Sequence, residues 1–131
     1  MITLTARIAE LLDGLEAEVF YFYPQNWLSL PAVSWRESGN RELARADGRP
    51  HLAELTYAVD IWSESAAQNQ ALSAEIDARM AAARLRRDYL ADLFDARTGC
   101  HHRSLRYRCV ADAQGRVYQC GDGVRHAGDR T

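Results

Sequence analysis

The sequence predicts an α+β fold: a mainly antiparallel sheet, two helices packed on one of its faces, and a long exposed arm between the second and third strands. Three observations predict it. Two segments place apolar residues at helical spacing, several others alternate with the period of a strand, and one polar stretch between strands fits neither. The resulting order of helix, two strands, arm, strand, helix and two or three strands lacks the strand–helix alternation of a doubly wound parallel sheet.

The first helix is carried by Leu4, Ile8, Leu11, Leu12 and Leu15, with Thr3 or Thr5 placed to cap its start and Gly14 to weaken its end. "VFYFYP", closed by Pro24, and "PAVSWRES", in which Val33 and Trp35 alternate with Ala32, Ser34 and Arg36, then read as two short strands. Between them Trp27 and Leu28 are apolar anchors expected to tuck under the sheet edge. Residues 38–50, "SGNRELARADGRP", are rich in Gly, Asn, Asp and Arg, and are expected to form the exposed arm or a long hairpin loop. A loop of that length in a small domain usually has a task.

The firmest strand follows in "HLAELTYAVDIWSES". Leu55, Tyr57, Val59 and Ile61 face one way, while Glu54, Thr56, Ala58, Asp60 and Trp62 face the other. Leu72, Ile76, Met80 and Ala83 define a second helix from Ser65 to about Arg84, with Ser63 or Ser65 as its cap. "RDYLADLFD" and "RSLRYRCVA" read as two strands joined by "ARTGCHH", and "DAQGRVYQC" as a tight turn into a short final strand. At 131 residues the chain has room for a single domain, expected over residues 1–120, with residues 121–131 a flexible tail that has little to bury. The side of the sheet away from the helices, bearing Asp60, Trp62, Arg106 and Arg108, then needs water or a partner.

Composition narrows the function classes. Hydrophobic residues at 47% and charged residues at 26% are globular values, far from those of a disordered chain. A net charge of −2 gives no overall electrostatic reason to bind nucleic acid or an anionic membrane, so neither a membrane nor sequence-specific nucleic-acid binding is expected. All sixteen basic residues are arginine, which points to a GC-rich coding source rather than to phosphate binding. No stretch approaches the roughly twenty apolar residues of a membrane span, and the first residues lack the pattern of a signal peptide, so the protein is expected to stay in the cytosol. Three cysteines there are expected to be free thiols.

"TGCHHRSLRYRCV" gathers the most reactive side chains of the chain. Zinc takes four nitrogen or sulfur ligands, usually as two close pairs. Cys100 and His102 offer one pair, but Cys109 and Cys120 stand apart, and Cys109 shares a strand face with Leu105 and Tyr107, as a small core residue does. A Cys109–Cys120 bridge depends on hairpin register: a type I turn from Asp112 to Gly115, which the composition favours, offsets the two. His101 and His102 are read as solvated residues of a turn. No metal ligand set, cofactor site or catalytic residue is expected, since no phosphate loop, nucleophile elbow or zinc-protease helix occurs. Arg84, Arg86 and Arg87 are explained by a helix C-terminus, whereas Arg106 and Arg108 on a strand face suit an edge guard or a subunit contact.

Three passages, "YPQNWLSLPAVSWRESGN", "ELTYAVDIWSES" and "RRDYLADLFDARTGCHHRSLRYRCV", together resemble the small tail-terminator and neck proteins of long-tailed bacteriophages and prophages, a group that includes the lambda tail terminator. The likeness spans about residues 4–111 and rests on strand periodicity and aromatic positions. It implies a structural protein of the virion, assembled in the host cytoplasm, that does no chemistry. Such proteins form rings, typically hexameric, which cap the tail tube, stop its polymerisation and dock the head connector. The implied partners are further copies of the chain, the tail-tube protein and the head connector. The implied contact residues are Arg41, Arg45 and Arg49 on the arm and Trp62, Arg106 and Arg108 on the sheet. Alternatives are another head-completion or tail-tube subunit, or a zinc-binding module or metal-dependent enzyme using Cys100, His101, His102 and Cys109.

Overall fold

The strongest alternation in the sequence becomes the centre of the sheet. A computed structural model describes residues 1–22 and 29–118. In chain order its elements are α1 (Thr5–Leu12), β1 (Glu18–Tyr21), β2 (Ala32–Ala46), β3 (Arg49–Ser63), α2 (Ala66–Ala82), β4 (Arg86–Asp95), β5 (Cys100–Asp112) and β6 (Val117–Tyr118). The strands lie in the order β1-β2-β3-β5-β4, with β6 paired to β5 where β4 has ended. Only β1 and β2 run parallel. The α+β class, the two helices and the mostly antiparallel sheet are those expected.

Both helices lie on the face carrying Leu55, Tyr57, Val59 and Ile61, all fully buried together with Leu105 and Cys109 of the neighbouring strand. Ile8 and Leu12 of α1 and Leu72, Ile76 and Met80 of α2 close the core from above. Each fully buried aliphatic side chain of this kind contributes about 1.5–3 kcal/mol. Two tyrosines at opposed positions fasten the layers: Tyr57 pairs with Tyr107 across the strands. The Tyr57 hydroxyl accepts from the Leu4 amide at the start of α1 (2.9 Å) and donates to Glu37 (2.6 Å), while the Tyr107 hydroxyl donates to Asp77 of α2 (2.9 Å). Burial, and then the adjoining carboxylate, pushes both phenols above the ordinary tyrosine range.

Ser65 caps α2 as expected, its hydroxyl accepting from the Gln68 amide at 3.1 Å. Several other local expectations change. The N-cap of α1 is Leu4, without a side-chain cap. Thr3 donates instead to Glu37 (2.6 Å) and accepts only a 3.4 Å bond from the Thr5 amide. Residues 38–50 are not a loop: β2 runs through to Ala46, and Asp47 and Gly48, with φ of 53° and 74°, make a two-residue turn into β3. Positive φ at both positions is the geometry of the type I′ hairpin turn, to which Asp-Gly is suited. Residues 39–42 lie within the sheet, because their partners on β3 also pair with β5. Beyond Leu52 the hairpin projects with no third strand beside it among the described residues.

His101 and His102 belong to β5 rather than to a turn, held between Ser63 and Trp62 on one side and Phe94 and Leu93 on the other. The basic run also moves: α2 ends at Ala82, Arg84 turns the chain with φ of 70°, and Arg86 and Arg87 open β4. The helix dipole therefore does not account for these arginines, and Arg79 is the basic residue in the last helical turn. Asp112 to Gly115 forms the expected turn, with the Gly115 amide donating to the Asp112 carbonyl at 3.0 Å. Pro24, Trp27, Leu28, Cys120 and the expected tail lie outside the described residues.

Candidate assembly surface

Strand alternation sends every second side chain of β3 and β5 away from the helices, and these side chains form a band of polar contacts. At one end Trp62 stacks on His102, with ring centroids 4.6 Å apart and planes 16° from parallel. The His102 Nε2 donates to Asp60 at 2.8 Å, and Arg36 of β2 approaches the same carboxylate at 3.7 Å. In the middle the Arg106 guanidinium lies 4.4 Å from the centre of the Tyr89 ring. Further along, Arg108 pairs with Asp88 and, at 3.6 Å, with Glu54. Glu54 also receives Arg41 at 3.1 Å. The more exposed pairs of Arg41 and Arg108 contribute about 0–1 kcal/mol each, so folding gains little from that end of the band.

The three arm arginines fall into different settings. Arg41 joins the band through Glu54. Arg45 is held at the hairpin end, where its guanidinium donates to both Glu42 oxygens (2.7 and 3.0 Å) and to the Gly48 carbonyl (2.8 Å). Arg49 is exposed where β3 begins, opposite Ala46. The structure thus brings Arg41, Trp62, Arg106 and Arg108 onto one face and leaves Arg45 and Arg49 at its projecting tip.

The cysteines and histidines are not brought together. His101 and His102 alternate to opposite faces: His101 meets Phe94 edge-on at 5.0 Å, and His102 is engaged with Asp60 and Trp62. Cys109 is fully buried in the core. Among the described residues no three His, Cys, Asp or Glu side chains are grouped so as to hold a metal ion, and no helix is long and apolar enough to cross a membrane.

Three arginine contacts were not legible as sites. Arg103 donates to both oxygens of Asp92 (2.7 and 2.9 Å) and to Ser73 of α2 (2.8 Å), which holds the Asp92 carboxyl below its usual range. Arg79 reaches the Leu11 and Asp13 carbonyls at 2.8 and 2.7 Å, satisfying the end of α1. Arg116 donates to Asp112 at 2.6 Å. Burial works against ionisation of Asp112, yet the bonds from the Arg116 backbone and guanidinium, the Gln114 amide and Tyr118 hold its carboxyl at about 2. Only tertiary placement reveals these partners.

Among the described residues no strand pairs with the outer side of β1 or of β4. Apolar side chains lie exposed along each: Val19 and Tyr21 on β1, and Tyr89, Leu90, Leu93 and Phe94 on β4.

The fold and this surface define a small α+β protein whose polar side chains are engaged in ion pairs and ring contacts on the sheet face away from the helices, which is buried at Ala32, Ser34, Ala58 and Asp60 and open at Arg41 and Arg106. A family model described as Tail completion protein gp17 matches residues 3–112. The chain belongs to this family of phage tail-completion proteins, and is a structural protein of the phage tail. No curated protein matches it.

Proposed function

We propose that this chain ends tail-tube assembly: copies join head to tail into a closed ring, hexameric as the family resemblance implies, which stops polymerisation and presents a docking surface to the head connector. Its partners are further copies of itself, the tail-tube protein and the connector. Assembly takes place in the host cytoplasm, and the ring remains in the virion at the tail end or neck. The role requires binding and no catalysis.

The observation that carries the reading is the sheet face away from the helices of a tail-completion protein, where the exposed Arg41 and Arg106 and the half-buried Arg108 make surface contacts of little benefit to folding and Trp62 stacks beside them on His102. Mixed charge of this kind sets register and rejects wrong partners more than it adds affinity. The hairpin tip, with Arg45 and Arg49, projects past the sheet and reaches a neighbouring subunit. Heterologous contacts of this type close into a ring when the rotation between copies permits it.

Electron microscopy of particles assembled without the protein tests the reading. Overlong tails of irregular length are the expected result. Tails of normal length on leaking heads assign a head-completion role instead, and complete absence of tubes assigns a tube subunit.

A further inference from the structure

We propose that copies of this chain join by strand addition, β4 of one copy pairing antiparallel with β1 of the next, so that neighbouring sheets run on as one. The inference rests on the ring reading above and specifies the contact that builds it.

The register of the sheet carries the argument. Glu18 stands opposite Ala32, Ala32 opposite Trp62, Trp62 opposite His102 and His102 opposite Leu93. By the same steps Tyr21 leads through Trp35, Val59 and Leu105 to Leu90. The four residues of β1 therefore lie level with Leu90 to Leu93 at the far edge of the same sheet. Between the two edges the chain direction reverses at three pairings and is kept at one, so β1 and β4 run in opposite directions. A second copy moved sideways by one sheet width presents its β1 antiparallel to β4 of the first, at the matching height.

The faces agree as well. Tyr21 packs edge-on against Trp35 on the helix-covered side, and the side chain of Leu90, opposite buried Leu105, points to that same side. Phe20 and Ala91, level with one another through Ser34, Asp60 and Ser104, both point to the side away from the helices. The exposed apolar groups at the junction, Tyr21 at 58%, Leu90 at 38% and Leu93 at 53%, are the side chains this contact would cover. Both edges also hold backbone N–H and C=O groups that a new strand pairs.

The rest of the β2 edge is blocked. Beyond Trp35, β2 is bulged after Glu37 and again near Ala44, and the N-terminal segment lies against it through Thr3 to Glu37 and Asn40 to the Ile2 carbonyl. Bulges and covering segments are the usual protections of a strand edge. On β4 the bulge falls between Arg87 and Tyr89, leaving the stretch level with β1 regular. Strand twist accumulating from copy to copy becomes strand tilt when the combined sheet closes into a barrel.

Cysteine pairs test the contact. In a Cys100→Ser, Cys120→Ser background, Tyr21→Cys and Leu90→Cys singles are mixed and oxidised, alone and on tail tubes, and the double variant is oxidised by itself. Facing residues of an antiparallel pair have Cα atoms about 4.5–5.5 Å apart, within disulfide reach. The mixture is expected to give cross-linked dimers and the double variant a ladder ending at the closed ring. Each single alone, and Tyr21→Cys with Ala91→Cys, whose side chains point to opposite faces, should give none. Separately, Leu90→Arg with Leu93→Arg should reduce oligomer formation at least tenfold by light scattering while leaving the far-UV spectrum unchanged. If rings form, yet the Tyr21→Cys and Leu90→Cys mixture does not cross-link and the arginine variant still assembles, strand addition is overturned and the ring stands. A protein that stays monomeric alone and on tail tubes overturns both.

Discussion

The two faces of β3 and β5 are built from alternate residues of the same strands, yet they spend their side chains in opposite ways. Toward the helices, Leu55, Val59, Ile61 and Leu105 are fully buried and the two tyrosines fasten the helix layer. Toward solvent, Arg106, Arg108 and Glu54 make contacts worth about 0–1 kcal/mol apiece. At the Glu54 and Arg108 end, a one-residue step along a strand thus separates a group the fold needs from one it can spare, whereas Ala58 and Asp60 are buried on the outer face as well. Stability and assembly should therefore be separable by mutation.

The largest effect should come from the covered face. Ile76→Ala removes a fully buried side chain between α2 and the sheet and should lower the unfolding free energy by about 2–5 kcal/mol in urea titration. Next, Tyr57→Phe leaves the buried Leu4 amide without its acceptor, at a cost of about 1–3 kcal/mol. Tyr107→Phe should cost less, about 0.5–1.5 kcal/mol, because Asp77 keeps its bond from Arg87. Equal losses at the two tyrosines would show that the buried amide is satisfied in another way.

Asp112 sharpens the comparison by pH. Its carboxyl is lowered from 3.8 to about 2, so its share of stability is complete above about pH 4 and is lost as the pH falls toward 2. Asp112→Asn should flatten the acid limb of a stability–pH curve in that window. The smallest effect belongs to the exposed end of the outer face: Arg41→Ala should change stability by less than about 1 kcal/mol.

What the sequence disclosed follows the same division. Leu55, Tyr57, Val59 and Ile61 alternate without interruption and were legible as the core, and Ser65 as a cap. Residues 38–50 read as a loop in the sequence because the bulges after Glu37 and near Ala44 shift the register and erase the period-two signal. Asp47 followed by Gly48 was nonetheless a hairpin-turn signal that locates the β2–β3 connection. His101 and His102 read as a turn in the sequence, which does not show that β3 and β4 flank them on both sides. The surface arginines could be named from strand alternation, but their partners, Glu54, Asp88 and the ring of Tyr89, lie on other strands and follow only from register. The pairing of Arg103 with Asp92 and Ser73 was hidden for the same reason.

The most direct test measures folding and assembly together in the double variant Arg41→Ala, Arg106→Ala. The melting temperature should fall by less than about 5 °C, while the variant fails to restore tails of normal length to particles lacking the wild-type chain. A melting point lowered well beyond that, or normal tails built with the variant, would contradict the division of the sheet into a folding face and an assembly face.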